Sequence, residues 1–525
     1  MSLPSELWLH IAKYLSTDAI KDLYVLNQAL FHLSMDARYR DIIFDDANDR
    51  MAYTLETLRN TQFASRVHSL HIDSHIFQPQ LDNDHGSNDS NGDAPHGKVG
   101  KSKFRKFTRR IFGTSKPKEN GIQSFNVQPA GPETPVAQIC DDLVEIIPLL
   151  LNVRTFSLSW NSSQDFPAPY IEVAWKSFRQ NLLEFNLTIT SAKAVALFPL
   201  PTSFPHLEVF TIHRLGKTSL EACDLALATF TNSLSPTLKK LTVRSTPPRT
   251  LANFYLKLDY FHNLSSIDID VSCDVGNPPG YATFIDQQSN VVQDLTLYLT
   301  SDYSKSWPPV LPPFGLSEIR LLKLEKLFIS GGLLDNSWDH VLRYLRSHLK
   351  TLTDFKTDGG GLMADSKLSS FLEVFHHRNP YSTLTHLSFF VTELDNKILD
   401  TLAKSLVRLE GLTLSICSVY PQFVPTENYP RDLKHESAFV RGLRSTQSLK
   451  RWNLSDITIK RRSCCGDIIL WGLMRTCATC IPSITSFMGN GDRDIPSPSN
   501  KPPKHVPTVK GLPHICRYGI DHNLL

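Results

Sequence analysis

The chain has 525 residues, of which 41% are hydrophobic and 20% charged, and its formal net charge at pH 7 is +3. This composition is typical of a folded protein, and the length predicts either several domains or a stack of repeats. So small a net charge over this length argues against a general nucleic-acid binder. No apolar run of about 18 residues or more occurs, which argues against a membrane-spanning helix.

The N-terminal segment predicts two short helices with more apolar surface than they can bury against each other. Leu7, Ile11 and Leu15 recur at helical spacing, behind a proline that a first helical turn tolerates. Ser16 to Asp18 offer caps for a second helix. The apolar residues on one side of that helix are Ile20, Leu23, Leu26, Leu30 and Leu33.

This segment, residues 1–45, resembles an F-box. The residues that carry the resemblance are Leu3, Pro4, Glu6, Leu7, Ile11, Tyr14, Leu15, Asp18, Leu23, Leu30, Phe31 and Leu33. Asn27-Gln28 stands where that family usually has Val-Cys or Val-Ser, and Tyr39 stands where a Trp is common. The resemblance implies docking on the Skp-type adaptor of a cullin-RING ubiquitin ligase. The expected adaptor contacts are Leu3, Pro4, Leu7, Ile11, Leu15, Leu23 and Leu30. The alternative is an ordinary helical hairpin that caps the fold behind it.

Residues 46–73 are expected to form a connector and a first repeat strand. Residues 74–135 are poor in apolar residues and are predicted to be a disordered polar and basic insert. Its stretch from Lys98 to Lys118 contains nine Lys or Arg and no acidic residue, with Phe and Ile interleaved. A nuclear-localisation signal, an anionic-membrane patch, an RNA contact and a solvated loop all fit this stretch.

A short pattern, apolar-x-x-apolar-x-apolar, then recurs at a period of roughly 30 residues. Clear copies begin at Val67, Val153, Leu182, Leu207, Leu238, Leu264, Val292, Leu324, Leu384, Leu409 and Leu449, with a degenerate copy at Leu349 and a weak one at Ile481. In a strand, the fourth and sixth positions of each copy point together into a core. Helix-like stretches lie between the copies.

The period and pattern resemble leucine-rich repeats in a long, irregular form. The expected fold class is therefore α/β: an F-box hairpin followed by a solenoid of strand–helix units over residues 136–488, with a proline-rich disordered tail over 489–525. The alternative is a doubly wound parallel sheet. It is disfavoured because no glycine-rich phosphate loop follows a strand, and because so many similar strands exceed an ordinary open sheet.

The sequence offers no convincing catalytic or metal-binding motif. Cys464-Cys465 with Cys477-x-x-Cys480 is poor spacing for tetrahedral zinc. Motifs of serine hydrolases, kinases and zinc proteases are missing from the sequence. We therefore expect no enzyme, no catalytic residue, no metal site and no cofactor.

The residues expected on the inner, concave surface of the solenoid face away from its core. The candidates for partner binding are His213, Lys240, Arg244, Asp268, Asp270, Asp294, Tyr298 and Lys326, with Thr242 and Phe328 on the same face. A basic patch beside an acidic one, edged by aromatic residues, favours a protein partner over nucleic acid.

Together, the two parts resemble F-box proteins with C-terminal leucine-rich repeats. The resemblance implies a non-catalytic substrate-recognition subunit of an SCF-type E3 ubiquitin ligase, which binds the adaptor at one end and a protein target along its repeats. The absence of a visible secretory signal, with nine scattered cysteines, indicates the cytoplasm and/or the nucleus. Two alternatives stay open: a repeat scaffold outside any ligase, and an RNA or anionic-membrane binder that works through the basic insert.

Overall fold

The computed structural model describes part of the chain, with gaps between the described ranges. The described residues are 4–12, 14–15, 19–20, 23, 28–77, 136–161, 168–190, 193, 195, 197–198, 204–216, 221–246, 251–272, 279–300, 319–330, 338–358, 365–376, 383–420, 438–462 and 468–488. The basic stretch from Lys98 to Lys118 and the proline-rich tail lie outside them.

The described residues form a mixed α/β fold. Its strands are β1 (Asp41–Phe44), β2 (Ser69–Asp73), β3 (Thr155–Trp160), β4 (Glu184–Thr190), β5 (Val209–Leu215), β6 (Lys240–Thr246), β7 (Ser266–Ser272), β8 (Asp294–Thr300), β9 (Lys326–Ser330), β10 (Asp354–Thr357), β11 (His386–Leu394), β12 (Gly411–Val419), β13 (Asp456–Arg461), β14 (Ile468–Ile469) and β15 (Ser486–Phe487).

Helices occupy most of the connections between these strands. They are α1 (Ser5–Ala12), α2 (Gln28–Tyr39), α3 (Asp49–Leu58), α4 (Thr61–Ala64), α5 (Val136–Ile146), α6 (Ala168–Phe178), α7 (Glu221–Ser233), α8 (Ala252–Leu256), α9 (Pro279–Gln287), α10 (Trp338–His348), α11 (Asp365–His376), α12 (Asn396–Ser405), α13 (Ala438–Ser445), α14 (Gln447–Lys450) and α15 (Trp471–Cys480). None of the helices described here combines the length and apolar character that crossing a membrane requires.

The strands form one sheet in chain order. From β1 to β13, each strand pairs in parallel with the next one in the chain, and β14 and β15 both pair with β13 at the far end. A doubly wound sheet reverses its strand order at a switch point, and this sheet does not. The prediction of stacked strand–helix units is therefore confirmed at the level of a mixed α/β, mostly parallel arrangement.

Alternation along the strands places one row of apolar side chains under every unit, as the repeat pattern predicted. Cross-strand pairing aligns Leu70, Phe156, Phe185, Phe210, Leu241, Ile267, Leu295, Leu327, Phe355, Leu387, Leu412 and Ile457, all of them buried. Neighbouring rings in this row stack, with centroids 5.9 Å apart for Phe156 and Phe185 and 5.5 Å apart for Phe185 and Phe210. Because each unit shares this row with its neighbours, the core is continuous along the molecule.

Three predicted repeat registers are wrong. The degenerate copy at Leu349 begins instead at Leu352, the copy at Leu449 begins at Leu454, and the weak copy at Ile481 begins at Ile484. In each case the misassigned residue is itself buried, because it belongs to the end of the preceding helix or its turn. In the sequence, an apolar residue at a helix end was therefore mistaken for the first position of the repeat.

Two further differences lie near the insert and the N-terminus. Strand β1 was not predicted, although Tyr39-x-x-Ile42-x-Phe44 fits the repeat pattern and Ile42 and Phe44 are buried. The predicted disordered insert begins at residue 74, but Ser74–Phe77 forms a buried 3-10 turn. Phe77 stacks on Tyr170 of α6 at 5.3 Å between ring centroids, which anchors this turn to the next unit.

Asparagine side chains join neighbouring units at the turns that precede the strands. Asn152 donates to the carbonyl of Ser65 at 2.6 Å, and Asn181 donates to the carbonyl of Leu151 at 2.7 Å. Asn263 donates in the same way to Pro236, at 2.6 Å. These bonds satisfy turn carbonyls that the sheet leaves unpaired, and they fix the spacing of successive units.

Candidate protein-interaction surfaces

The first candidate surface is the apolar side of helices α1 and α2, which contact each other at the N-terminal end of the fold. Leu7, Ile11 and Leu15 expose 47%, 41% and 37% of their surface, and Leu9 and Phe31 of the same segment are also exposed. So many exposed large apolar residues in one short segment form the kind of patch that marks an interaction site.

The predicted adaptor contacts divide into accessible and inaccessible residues. Pro4, Leu7, Ile11 and Leu15 are exposed, and Leu23 is partly buried. Leu30 is a correction: it is completely buried within the chain, because α2 turns this side inward together with Ser34 and Met35. Leu3 lies outside the described residues.

Helix α2 is attached to the first strand–helix units through Arg66, which precedes β2. The Arg66 guanidinium forms an ion pair with Asp36 and donates to the carbonyl of His32 at 3.2 Å. The rings of Tyr39 and Phe63 pack beside this contact with centroids 5.0 Å apart. The orientation of α2 relative to the sheet is therefore held by both polar and aromatic contacts.

The second candidate surface is the open face of the sheet, formed by the strand residues that alternate with the buried row. All the predicted concave-face residues lie on it: His213, Lys240, Arg244, Asp268, Asp270, Asp294, Tyr298 and Lys326. The alternation of the strands therefore placed these residues correctly, although it did not predict which of them meet.

Arg244 is the centre of a contact network on this open face. Its guanidinium pairs with Asp268 at 2.8 Å and with Asp270 at 3.0 Å, both from the neighbouring strand β7. It also lies over the ring of Tyr298 on β8, 3.4 Å from the centroid. Asp270 accepts a further hydrogen bond of 2.9 Å from the backbone N–H of Ser245. The predicted basic and acidic patches are therefore one ion-paired network here.

The carboxylates of this region are recessed rather than fully solvated. Burial raises the pKa of Asp268 above its ordinary value, while the charge of Arg244 opposes that rise. Burial likewise raises the pKa of Asp294, against the opposing charges of Lys326 and Lys240. Each recessed carboxylate is thus kept close to a cation.

The network extends across β8 to β10 through aromatic rings. Tyr298 meets Phe328 edge to face, with centroids 5.3 Å apart. The ammonium group of Lys356 lies 4.7 Å from the centroid of the Phe328 ring. Two aromatic rings are therefore flanked by a cation on each side, an arrangement that cation–π attraction stabilises.

Sequence reasoning missed Asp354, Lys356 and His386 on this face. Lys356 contacts Phe328, and His386 lies 3.5 Å from Asp354, between Nδ1 and Oδ1. The predicted copy at Leu349 concealed Asp354 and Lys356. The copy begins at Leu352 instead, and its strand β10 begins at Asp354. His213, which was predicted, contacts the hydroxyl of Thr246 at 3.0 Å and takes no part in the Arg244 network.

Within the described part of the chain, no group of three or more His, Cys, Asp or Glu residues is arranged to hold a metal ion. Cys477 and Cys480 lie buried on α15, and burial raises the pKa of the Cys477 thiol well above its ordinary value. Cys464 and Cys465 lie outside the described residues.

Compared with protein-family models and with curated protein sequences, the chain matches none.

Proposed function

We propose that the chain is a substrate receptor of an SCF-type ubiquitin ligase, in which α1 and α2 bind a Skp-type adaptor and the open face of the sheet binds a protein target. The observation that carries this proposal is the exposed apolar row of Leu7, Ile11 and Leu15, on a segment whose sequence resembles an F-box. In a hairpin that served only as a cap, these apolar side chains would be expected to pack against the fold instead of facing solvent.

In this proposal the chain performs no chemistry. Its adaptor end joins the ligase, and its sheet holds the target within reach of the ubiquitin-charged enzyme. Holding two reactants together raises their effective concentration and so the rate of transfer. The long sheet supports this role because one continuous core joins the units next to the N-terminal helices to those that carry the open face.

The test is capture of a purified Skp-type adaptor by the full chain and by the variant L7A/I11A. Each substitution removes apolar surface worth about 1.5–3 kcal/mol on full burial, and about 1.4 kcal/mol corresponds to tenfold in affinity. We therefore expect L7A/I11A to lose at least about tenfold in adaptor affinity. Isothermal titration calorimetry measures this directly.

The matched control is L151A/L322A, which shortens two leucines that are 62% and 63% exposed on turns of the sheet units. This control should bind the adaptor as the unmodified chain does. If the full chain captures no adaptor, or if L7A/I11A binds as tightly as the control, the ligase role is wrong. The hairpin is then a cap on a repeat scaffold.

A further inference from the structure

We propose that the open face from β6 to β10 binds an acidic segment of a protein partner that carries an aromatic or large apolar side chain. This inference rests on the proposed function for its biological setting, since it names the class of target that the receptor would hold. Its structural basis is independent of the N-terminal hairpin.

The first step is the distribution of exposed charge. Lys240, Lys326 and Lys356 are exposed on this part of the face. The carboxylates among them, Asp268, Asp270, Asp294 and Asp354, are only partly exposed, and the first three lie close to cations. Although the formal charges nearly balance, a partner that approaches from solvent meets ammonium groups first. That potential complements an acidic segment.

The second step is the aromatic pair at the centre. Tyr298 and Phe328 are partly exposed, their rings are held edge to face, and the ammonium group of Lys356 lies over the Phe328 ring. Arg244 fixes the Tyr298 ring from the other side, and two carboxylates fix Arg244 in turn. Because these side chains are already ordered, the binding of a partner costs little free energy for ordering them. Rigid aromatic residues of this kind are frequent anchors in interfaces.

The test begins with a random peptide library displayed on phage and selected against the immobilised full chain. We expect the enriched peptides to contain several Asp or Glu residues around one aromatic or large apolar residue. Their affinity for the full chain is then measured by fluorescence anisotropy, using fluorescein-labelled synthetic copies. That affinity should fall as salt concentration rises, because exposed charges are screened.

The decisive variant is K326Q/K356Q, and its control is K323Q/K397Q. Both remove two exposed lysine charges, but Lys323 lies in the turn before β9 and Lys397 on α12, so neither is on a strand of the open face. We expect K326Q/K356Q to weaken the peptides at least about tenfold, and the control to change them by less than about twofold. Phe328→Ala, checked for folding by circular dichroism, should weaken the same peptides without changing their salt dependence.

Three outcomes would overturn the inference. The selected peptides could show no excess of acidic residues, or they could bind K326Q/K356Q as tightly as the control. The third is that single-stranded RNA binds the full chain through these lysines while no acidic peptide binds it. Adaptor capture by K326Q/K356Q should stay normal. Peptide binding without adaptor capture would leave the inference standing and remove the ligase role. Adaptor capture without binding of acidic peptides would remove the inference and leave the ligase role standing.

Discussion

His348 joins two units of the sheet through one buried ring. It lies at the end of α10, and its Nε2 accepts a hydrogen bond of 3.0 Å from the backbone N–H of Leu321. Because Nε2 accepts this bond, it carries no proton and the ring is neutral, so the proton lies on Nδ1, which donates to the carbonyl of Tyr344 at 2.9 Å. Gln288 performs the equivalent task two units earlier, where its Oε1 accepts from the N–H of Phe261 at 3.0 Å.

Burial lowers the pKa of His348 below its ordinary value of 6.5, and the nearby charge of Arg320 acts in the same direction. The folded chain therefore resists protonation, whereas the unfolded chain takes up a proton as the pH falls below 6.5. We expect the free energy of unfolding to fall with pH from that point down toward the lowered pKa. Urea denaturation between pH 7.5 and 5 should show a weaker pH dependence for His348→Gln. Equal dependence in both proteins would contradict this role.

At the scale of elements, strand β5 and helix α7 are joined by a buried ion pair. Arg214 occupies a core-facing position on β5, where the paired residue of the neighbouring strand β4 is Ile189. Its guanidinium lies 2.7 Å from the carboxylate of Asp224 on α7. The two side chains are 3% and 1% exposed. Burial raises the pKa of Asp224, while the charge of Arg214 opposes that rise. The pair thus specifies how α7 packs, at a cost in desolvation.

Removing one partner should be worse than replacing both. Asp224→Ala leaves a buried guanidinium without this carboxylate and should lower the free energy of unfolding by about 3–5 kcal/mol. R214L/D224L removes both charges and should cost much less, since an apolar pair fills similar volume. Chemical denaturation of the three proteins measures the difference. If R214L/D224L is as unstable as Asp224→Ala, the loss of stability does not come from an unpaired buried charge, and this explanation is wrong.

The elements were largely predictable, whereas the contacts of the candidate surfaces were not. Alternation of apolar residues located most strands and put Arg244, Asp270 and Tyr298 on one face. It did not reveal that the Arg244 guanidinium reaches the Tyr298 ring two strands away, because that contact depends on register and rotamer. The N-terminal motif likewise did not reveal that Leu30 points inward, because helical spacing alone does not say which side packs.

At the scale of the whole molecule, the strand pairing from β1 to β13 joins each described unit to its neighbours in the chain. Damage to one unit should therefore stay local. Phe210 is fully buried and lies 5.2 Å from Phe230 between ring centroids. Phe210→Ala, a change that typically costs about 3–5 kcal/mol, should speed amide hydrogen exchange in β4 to β6 and in α7. Strands β11 and β12 should keep their protection. A uniform increase along the chain would instead indicate one cooperative unit.

The asparagine bonds at the turns before the strands divide the sheet into two unequal edges. On the edge where strands begin, each of these three asparagine side chains reaches a carbonyl of the unit before it. On the edge where strands end, length is free: β2 ends at Asp73 and α5 begins at Val136, yet β2 and β3 keep their register. A long addition between a strand and the helix that follows it therefore leaves the strand register unchanged. A fluorescent domain fused into that connection would leave every strand pairing as it is.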